Sequence, residues 1–308
     1  MVFLTPRDAR RIALGYFKVN DSNLTDKAAE TRFRKLLGSS SLDIANIWYD
    51  MCQRDDILSD LPLSLREKTL FGFKKYIMAH YWLWTYQRSS DMYATVFQVC
   101  ERNCRGEPIM KWIKRIAALK ALKIKMNIHE MANPDGPDFV LTVDGVDFRK
   151  AERKHPTLPQ DNKDCSHKFR HAAFRYEVAI DIWESKIRWI SGPHRGGKPD
   201  KSIASEKGGL LERVPQGKLV IADGGYNVED SKLKEKLALP RPTDSKQVNN
   251  FKSRARLRHE TLNSRLKNFE ALFAHSFRQG EIAHKHVFEA VCVIVQYQMD
   301  NGAELFAV

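Results

Sequence analysis

Apolar and polar positions follow one rhythm in the first part of the chain and another after about residue 131. The first rhythm is helical. Residues 1–60 are polar and broken, with "NDSN" and "GSSS" as loops or caps, and helices are predicted around 6–17 and 24–36. From 64 to 125 the pattern becomes helical and aromatic. "LREKTLFGFKKYIMAHYWLWTYQ" has no proline, and "SSDMYATVFQVCERN" opens on Ser90 as an N-cap candidate. Gly106 and Pro108 then interrupt, with Pro108 suited to the first turn of a new helix. That helix, "PIMKWIKRIAALKALKIK", gathers Ile109, Trp112, Ile113 and Ile116 on one stripe and leaves Lys111, Lys114, Arg115 and Lys120 largely on other faces. Helix, short break and basic helix is the layout of a helix-turn-helix DNA reader; an ordinary amphipathic helix with solubilising lysines has the same pattern.

"MANPDGPD" (131–138) reads as a linker and divides a helical region, 1–130, from a second domain, 131–308. Strand patterns follow: "DFVLTVDGVDF" (138–148), "FRHAAFRYEVAID" (169–181) and "KIRWIS" (186–191), the last two paired across "IWES". A helical stretch, "KSIASEKGGLLERV", leads to a short buried strand at 218–222. Two long helices, about 250–274 and 282–299, end the chain. Strands first, then helix, strand and helices make an α/β layer fold.

Composition narrows the setting. The chain has 308 residues, a formal charge of +13 and 43% hydrophobic residues, so it can bury a core and is drawn to polyanions. Basic clusters stand at "FRKAERKH" (148–155) and "FKSRARLRH" (251–259). No apolar run approaches a membrane span, the N-terminus lacks a signal-peptide core, and the five scattered cysteines fit a reducing compartment. The expectation is a soluble intracellular protein with no membrane partner and with nucleic acid as its partner.

The candidate chemistry rests on acids. "LTVDG" ends at Asp144 and "VIADGG" at Asp223, each a carboxylate at a predicted strand end beside glycine. In an open sheet, ligands sit at the carboxyl ends of strands, although Asp-Gly is also an ordinary turn. In "RARLRHETLNSRLKNFEALF" (254–273), Ala255, Leu262, Leu266, Phe269 and Phe273 form the apolar stripe. Glu260 lies opposite it, stacked with Arg256, Ser264 and Lys267, where an ion pair with Arg256 is the plainer reading. Three converging carboxylates would repel one another and need a cation. They are hard oxygen ligands for Mg²⁺ or Mn²⁺, and two such ions suit phosphodiester chemistry. Asp147, three residues after Asp144, competes for the first position but would face the other side of the strand. "GPHRGGK" (192–198) fits part of a P-loop, but Pro199 stands where its Ser or Thr would bind Mg²⁺.

Asp-Gly after the first strand, Asp and then Gly-Tyr after a later one, and Arg-x-x-x-Glu ahead of Arg-Leu-Lys resemble the PIF/Harbinger type of DDE transposase over about 138–300. "GGKPDKS" matches that family's His-Asp-Ser-like step at Asp200 and Ser202, with Pro199 in place of the histidine. The resemblance implies an RNase H-like fold, a mixed five-stranded sheet flanked by helices, preceded by an all-α helix-turn-helix-like region. It implies a metal-dependent endonuclease or transposase in which Asp144, Asp223 and Glu260 bind two Mg²⁺ or Mn²⁺ ions. The partners it implies are DNA, a second copy of the chain and an accessory DNA-binding protein, in a nuclear setting. Backbone phosphate would be held by Arg149, Lys150, Arg153, Lys154, Arg256, Arg258 and Lys267, with Lys111, Lys114 and Arg115 on the N-terminal basic helix. The alternatives are a catalytically silent DNA-binding or adaptor protein derived from such an element, and an unrelated basic α/β hydrolase.

Overall fold

The computed structural model describes residues 4–58, 69–86, 89–151, 162–273, 277 and 279–308. In chain order its main elements are α1 (Pro6–Tyr16), α2 (Asp26–Leu37), α3 (Ser41–Gln53), α4 (Thr69–Trp84), α5 (Ser90–Phe97) and α6 (Glu107–Ala118), then β1 (Phe139–Arg149), β2 (Cys165–Ser166), β3 (His171–Asp181) and β4 (Ile187–Arg195). There follow α7 (Asp200–Ala204), α8 (Leu210–Arg213), β5 (Leu219–Ile221), β6 (Leu237–Ala238), α9 (Lys246–Lys267) and α10 (Glu281–Asp300). The chain forms two compact units. One comprises Met1–Lys123, Leu266–Ala274 and Ile282–Ala303, and the other Ile124–Arg265, His275–Glu281 and Glu304–Val308.

The first unit is helical, and its helices start where the sequence supplies caps. The Thr5 hydroxyl accepts from the Asp8 amide with Pro6 in the first turn, and Thr25 does the same for Ala28. Helix α2 stops at Gly38, whose φ of +69° suits glycine and whose missing side chain leaves room for the Trp84 ring. Helix α3 corrects the reading of residues 1–60 as polar and broken. Ser40 and Asp43 form a capping box, and Ile44, Ile47, Trp48 and Met51 recur at helical spacing and are buried. Trp48 stacks with Tyr76 and Trp112. The cap of α5 is Ser89 rather than Ser90, whose hydroxyl instead donates to Glu101. Among the described residues no helix is long and apolar enough to cross a membrane.

The second unit is built on a sheet of six strands, against the five that the resemblance implies, in the order β2-β3-β1-β5-β6 with β4 also pairing β3. Beyond the four strands read from the pattern, the additions are β2 and β6, each two residues long. β1 pairs antiparallel with β3 and parallel with β5, and β5 is parallel to β6. This mixed sheet flanked by helices is consistent with an RNase H-like fold. On one face Leu141, Val143, Ala179 and Val220 pack with Ala204 of α7 and Leu210 and Leu211 of α8. On the other, Ile221 and Ile182 pack with Ala255 of α9. The even-numbered positions of β1 from Thr142 face α9, and the odd-numbered ones face α7 and α8, as the two-residue pleat requires.

Candidate active site

Strand β1 does not end at Asp144. It runs on to Arg149, because β3 pairs with it residue for residue from Leu141↔Asp181 to Arg149↔Ala173. The strand that ends is β5, whose pairing with β1 stops at Thr142↔Ile221. Asp144 and Asp223 each stand two residues past that pair on neighbouring parallel segments. Equal offsets and a period-two pleat place both carboxylates at one height on the α9 face. Asp223 keeps an extended backbone, and its Oδ1 accepts from the Gly225 amide at 2.8 Å.

Asp144 is recessed and Asp223 is exposed. The Asp144 carboxyl is pushed up to about 6, first by burial and then by repulsion from Asp223. The Gly145 amide, Lys168 and Asn263 oppose that rise. Asp144 accepts from the Gly145 amide at 2.8 Å and from the Asn263 side-chain amide at 3.3 Å. The hydrogen-bond partners of the two aspartates, among the described residues, are thus neutral N–H groups. Glu260, exposed on α9, lines a cavity of about 270 Å³ together with Asp144, Asp223, Ser253, Arg256 and Leu257. Asp144 and Asp223 supply crowded oxygen donors of the kind Mg²⁺ and Mn²⁺ take. Among the described residues no three His, Cys, Asp or Glu side chains converge tightly enough to hold one ion. The two aspartates therefore carry the fit to a metal, with Glu260 on the cavity wall.

A family model for DDE superfamily endonucleases matches residues 143–296, half of the chain, from the middle of β1 into α10. The chain belongs to the DDE superfamily endonucleases. No curated protein and no solved structure matches it.

In this DDE-family chain Asp147 is otherwise engaged. It faces the opposite side of β1 from Asp144 and is buried. Arg175 of β3 donates to it twice, Nε to Oδ1 at 2.7 Å and Nη2 to Oδ2 at 2.9 Å, and Ser166 donates at 2.5 Å. A bidentate guanidinium pair leaves this carboxylate little freedom to ligate an ion. Sequence reasoning gave no role to Asn263 or Lys168 and only a motif match to Asp200. Asn263 lies three residues after Glu260, so helical spacing alone could have placed it at the pocket.

The basic residues divide by burial. Arg258 is 1% exposed and donates to the backbone carbonyls of Ile182 and, at 2.8 Å, Glu184, so its expected phosphate contact is corrected to an anchoring one. Arg115 is 5% exposed with its guanidinium 4.2 Å from the Trp112 ring centre, which removes it from the expected DNA face. Lys150 is tied to Asp164, and Arg149 lies over the Phe169 ring. Lys111 and Lys114 are exposed, the latter with Glu107 at 3.1 Å; Arg256 and Lys267 are half-buried. Arg153 and Lys154 lie outside the described residues. Arg258→Ala would leave two carbonyls without their donor and should cost about 2–4 kcal/mol of stability, read as a lowered urea midpoint.

Proposed function

We propose that the protein is a divalent-metal-dependent DNA endonuclease of the PIF/Harbinger transposase type, with Asp144, Asp223 and Glu260 as its acids. One observation carries the reading: Asp144 and Asp223 stand at matched offsets past the last β1–β5 pair, in one cavity with Glu260, and among the described residues hydrogen-bond to neutral groups. Two Mg²⁺ or Mn²⁺ ions held there would activate the attacking oxygen and stabilise the leaving one. The chain's own part is to place the scissile phosphate. Gly224 has no heavy atom near the position of its missing side chain, so a DNA backbone can approach Asp223. Arg256 on the cavity wall and exposed Lys168 are positioned to offset phosphate charge without reading sequence. Water oxygen bonds to phosphorus as the P–O3′ bond breaks, leaving a 3′-hydroxyl. That hydroxyl then attacks a second phosphodiester and displaces its 3′ oxygen. Residues 131–308 serve as the catalytic domain. Residues 1–130 serve to bind DNA through Lys111 and Lys114, and the protein acts in the nucleus as an oligomer or with an accessory DNA-binding protein.

A second reading, a catalytically silent DNA-binding protein, draws on the failure of three acids to close around one ion. Incubation with supercoiled plasmid separates the two. Nicking in Mg²⁺ that stops in EDTA and is lost in Glu260→Gln is the expected result. Plasmid binding without nicking, in Mg²⁺ and in Mn²⁺, would establish the silent reading instead.

A further inference from the structure

A fourth carboxylate enters this site from behind the sheet. Gly145 follows Asp144 and faces α7 and α8, so its side-chain position lies on the opposite side of β1 from Asp144. That position is filled by another residue: a Cβ added to Gly145 would meet Asp200 Oδ1 at 2.5 Å. The other oxygen of the same carboxylate lies 3.4 Å from where a Cβ on Gly225 would sit. Asp200 thus spans from the residue after Asp144 to the segment that carries Asp223. It does so just past Ile221, where the β1–β5 pairing has ended.

Asp200 is held from its far side. Arg175 Nη1 lies 3.3 Å from Asp200 Oδ1 and donates to the Lys198 carbonyl at 2.9 Å, while its other nitrogens grip Asp147. One guanidinium therefore ties β1, β3 and the first residue of α7 together. The Asp200 side chain is 24% exposed, against 2% for that of Asp147, so of the two acids on Arg175 only Asp200 keeps an open side.

We propose that Asp200 is a positioning residue of the ion site: clamped by Arg175 in the gap that Gly145 and Gly225 leave open, it fixes the spacing of Asp144 and Asp223 and adds a third negative charge beside them. The inference rests on the proposed metal site. Outer partners that orient metal ligands typically contribute 10–100-fold to affinity.

The test is the melting temperature of the full chain in EDTA and across a Mn²⁺ titration, with Mn²⁺ affinity also read by calorimetry. Binding to the native state alone raises the melting temperature with concentration. Wild type should rise. Asp200→Asn, which keeps the shape and removes the charge, should melt no lower than wild type in EDTA yet bind Mn²⁺ about 10–100-fold more weakly and rise less. Gly145→Ala, which pushes a methyl into the Asp200 carboxylate and leaves every acid in place, should weaken Mn²⁺ binding in the same direction and keeps the inference testable if the first variant does not fold. A merely structural role would lower the EDTA value and leave the Mn²⁺ affinity unchanged. That result, or equal affinity in wild type and Asp200→Asn, overturns the inference and leaves the proposed function standing. A wild type indifferent to Mn²⁺ by both measurements overturns the metal-site reading and this inference with it.

Discussion

Asp223→Ala is expected to abolish Mg²⁺-dependent nicking of supercoiled DNA while the protein remains folded and still binds the plasmid. Asp223 is exposed, and its carboxylate accepts from its own loop at the Gly225 amide, so little packing depends on it. Its value lies in charge placed where charge builds up during reaction. Losing an interaction of that kind typically costs about 10²–10³-fold in rate, and more when residues act as a unit. The rate should fall by roughly 10³-fold or more, measured as nicked circles per unit time. A variant that nicks like wild type would remove Asp223 from the site.

Asp144→Asn should make the metal-free protein more stable, and the advantage should vanish when Mg²⁺ is added. The sign follows from linkage. The Asp144 carboxyl is pushed up to about 6, so between its ordinary value near 4 and about 6 the folded state holds a proton that the unfolded state has released. Stability from this group is therefore lost as pH rises through that window. The asparagine variant does not incur this loss, so its advantage over wild type should be absent near pH 4, grow to pH 6 and level off above pH 7. The plateau is at most about 3 kcal/mol, from a shift of roughly two units. Buried His80, His259 and His284 are pushed below their ordinary range, by burial above all, and titrate nearby with the opposite sign. The comparison between variants cancels them to first order. Urea unfolding at several pH values, with EDTA or Mg²⁺, reads the effect. A flat difference across pH would mean that Asp144 is not under electrostatic pressure.

Much of this architecture was legible because it is periodic. Helices α1 and α2, strands β1, β3 and β4, and the short strand β5 stand within a few residues of where the pattern put them. The two-residue strands β2 and β6 carry too few positions for any period to show. Asp144-Gly145 looked like a strand end because Asp-Gly so often turns a chain. What keeps the backbone extended is the β3 ladder, a partner some thirty residues away. Arg258 was misread from its charge although its place was visible: it lies three residues after Ala255 and four before Leu262, on the buried stripe. Phe273, assigned to the same stripe, is exposed, because α9 stops at Lys267 and a separate turn, Glu270–Phe273, resets the phase. The three candidate acids were chosen by residue type and context. The contacts of Asp200 depend on two glycines distant in sequence from it and from each other, and no spacing rule foretells such a meeting.

Helix α9 is keyed to the β3–β4 turn by Arg258, with buried Lys252 as a second tie through the Leu239 carbonyl at 2.9 Å. Arg258 grips the carbonyls of the β3–β4 turn, Glu260 follows two residues later, and Asn263 reaches Asp144 three residues after that. A residue inserted between 258 and 263 would swing the downstream side chains by about 100° while the grip holds. Natural or engineered indels should accordingly be refused in that one turn.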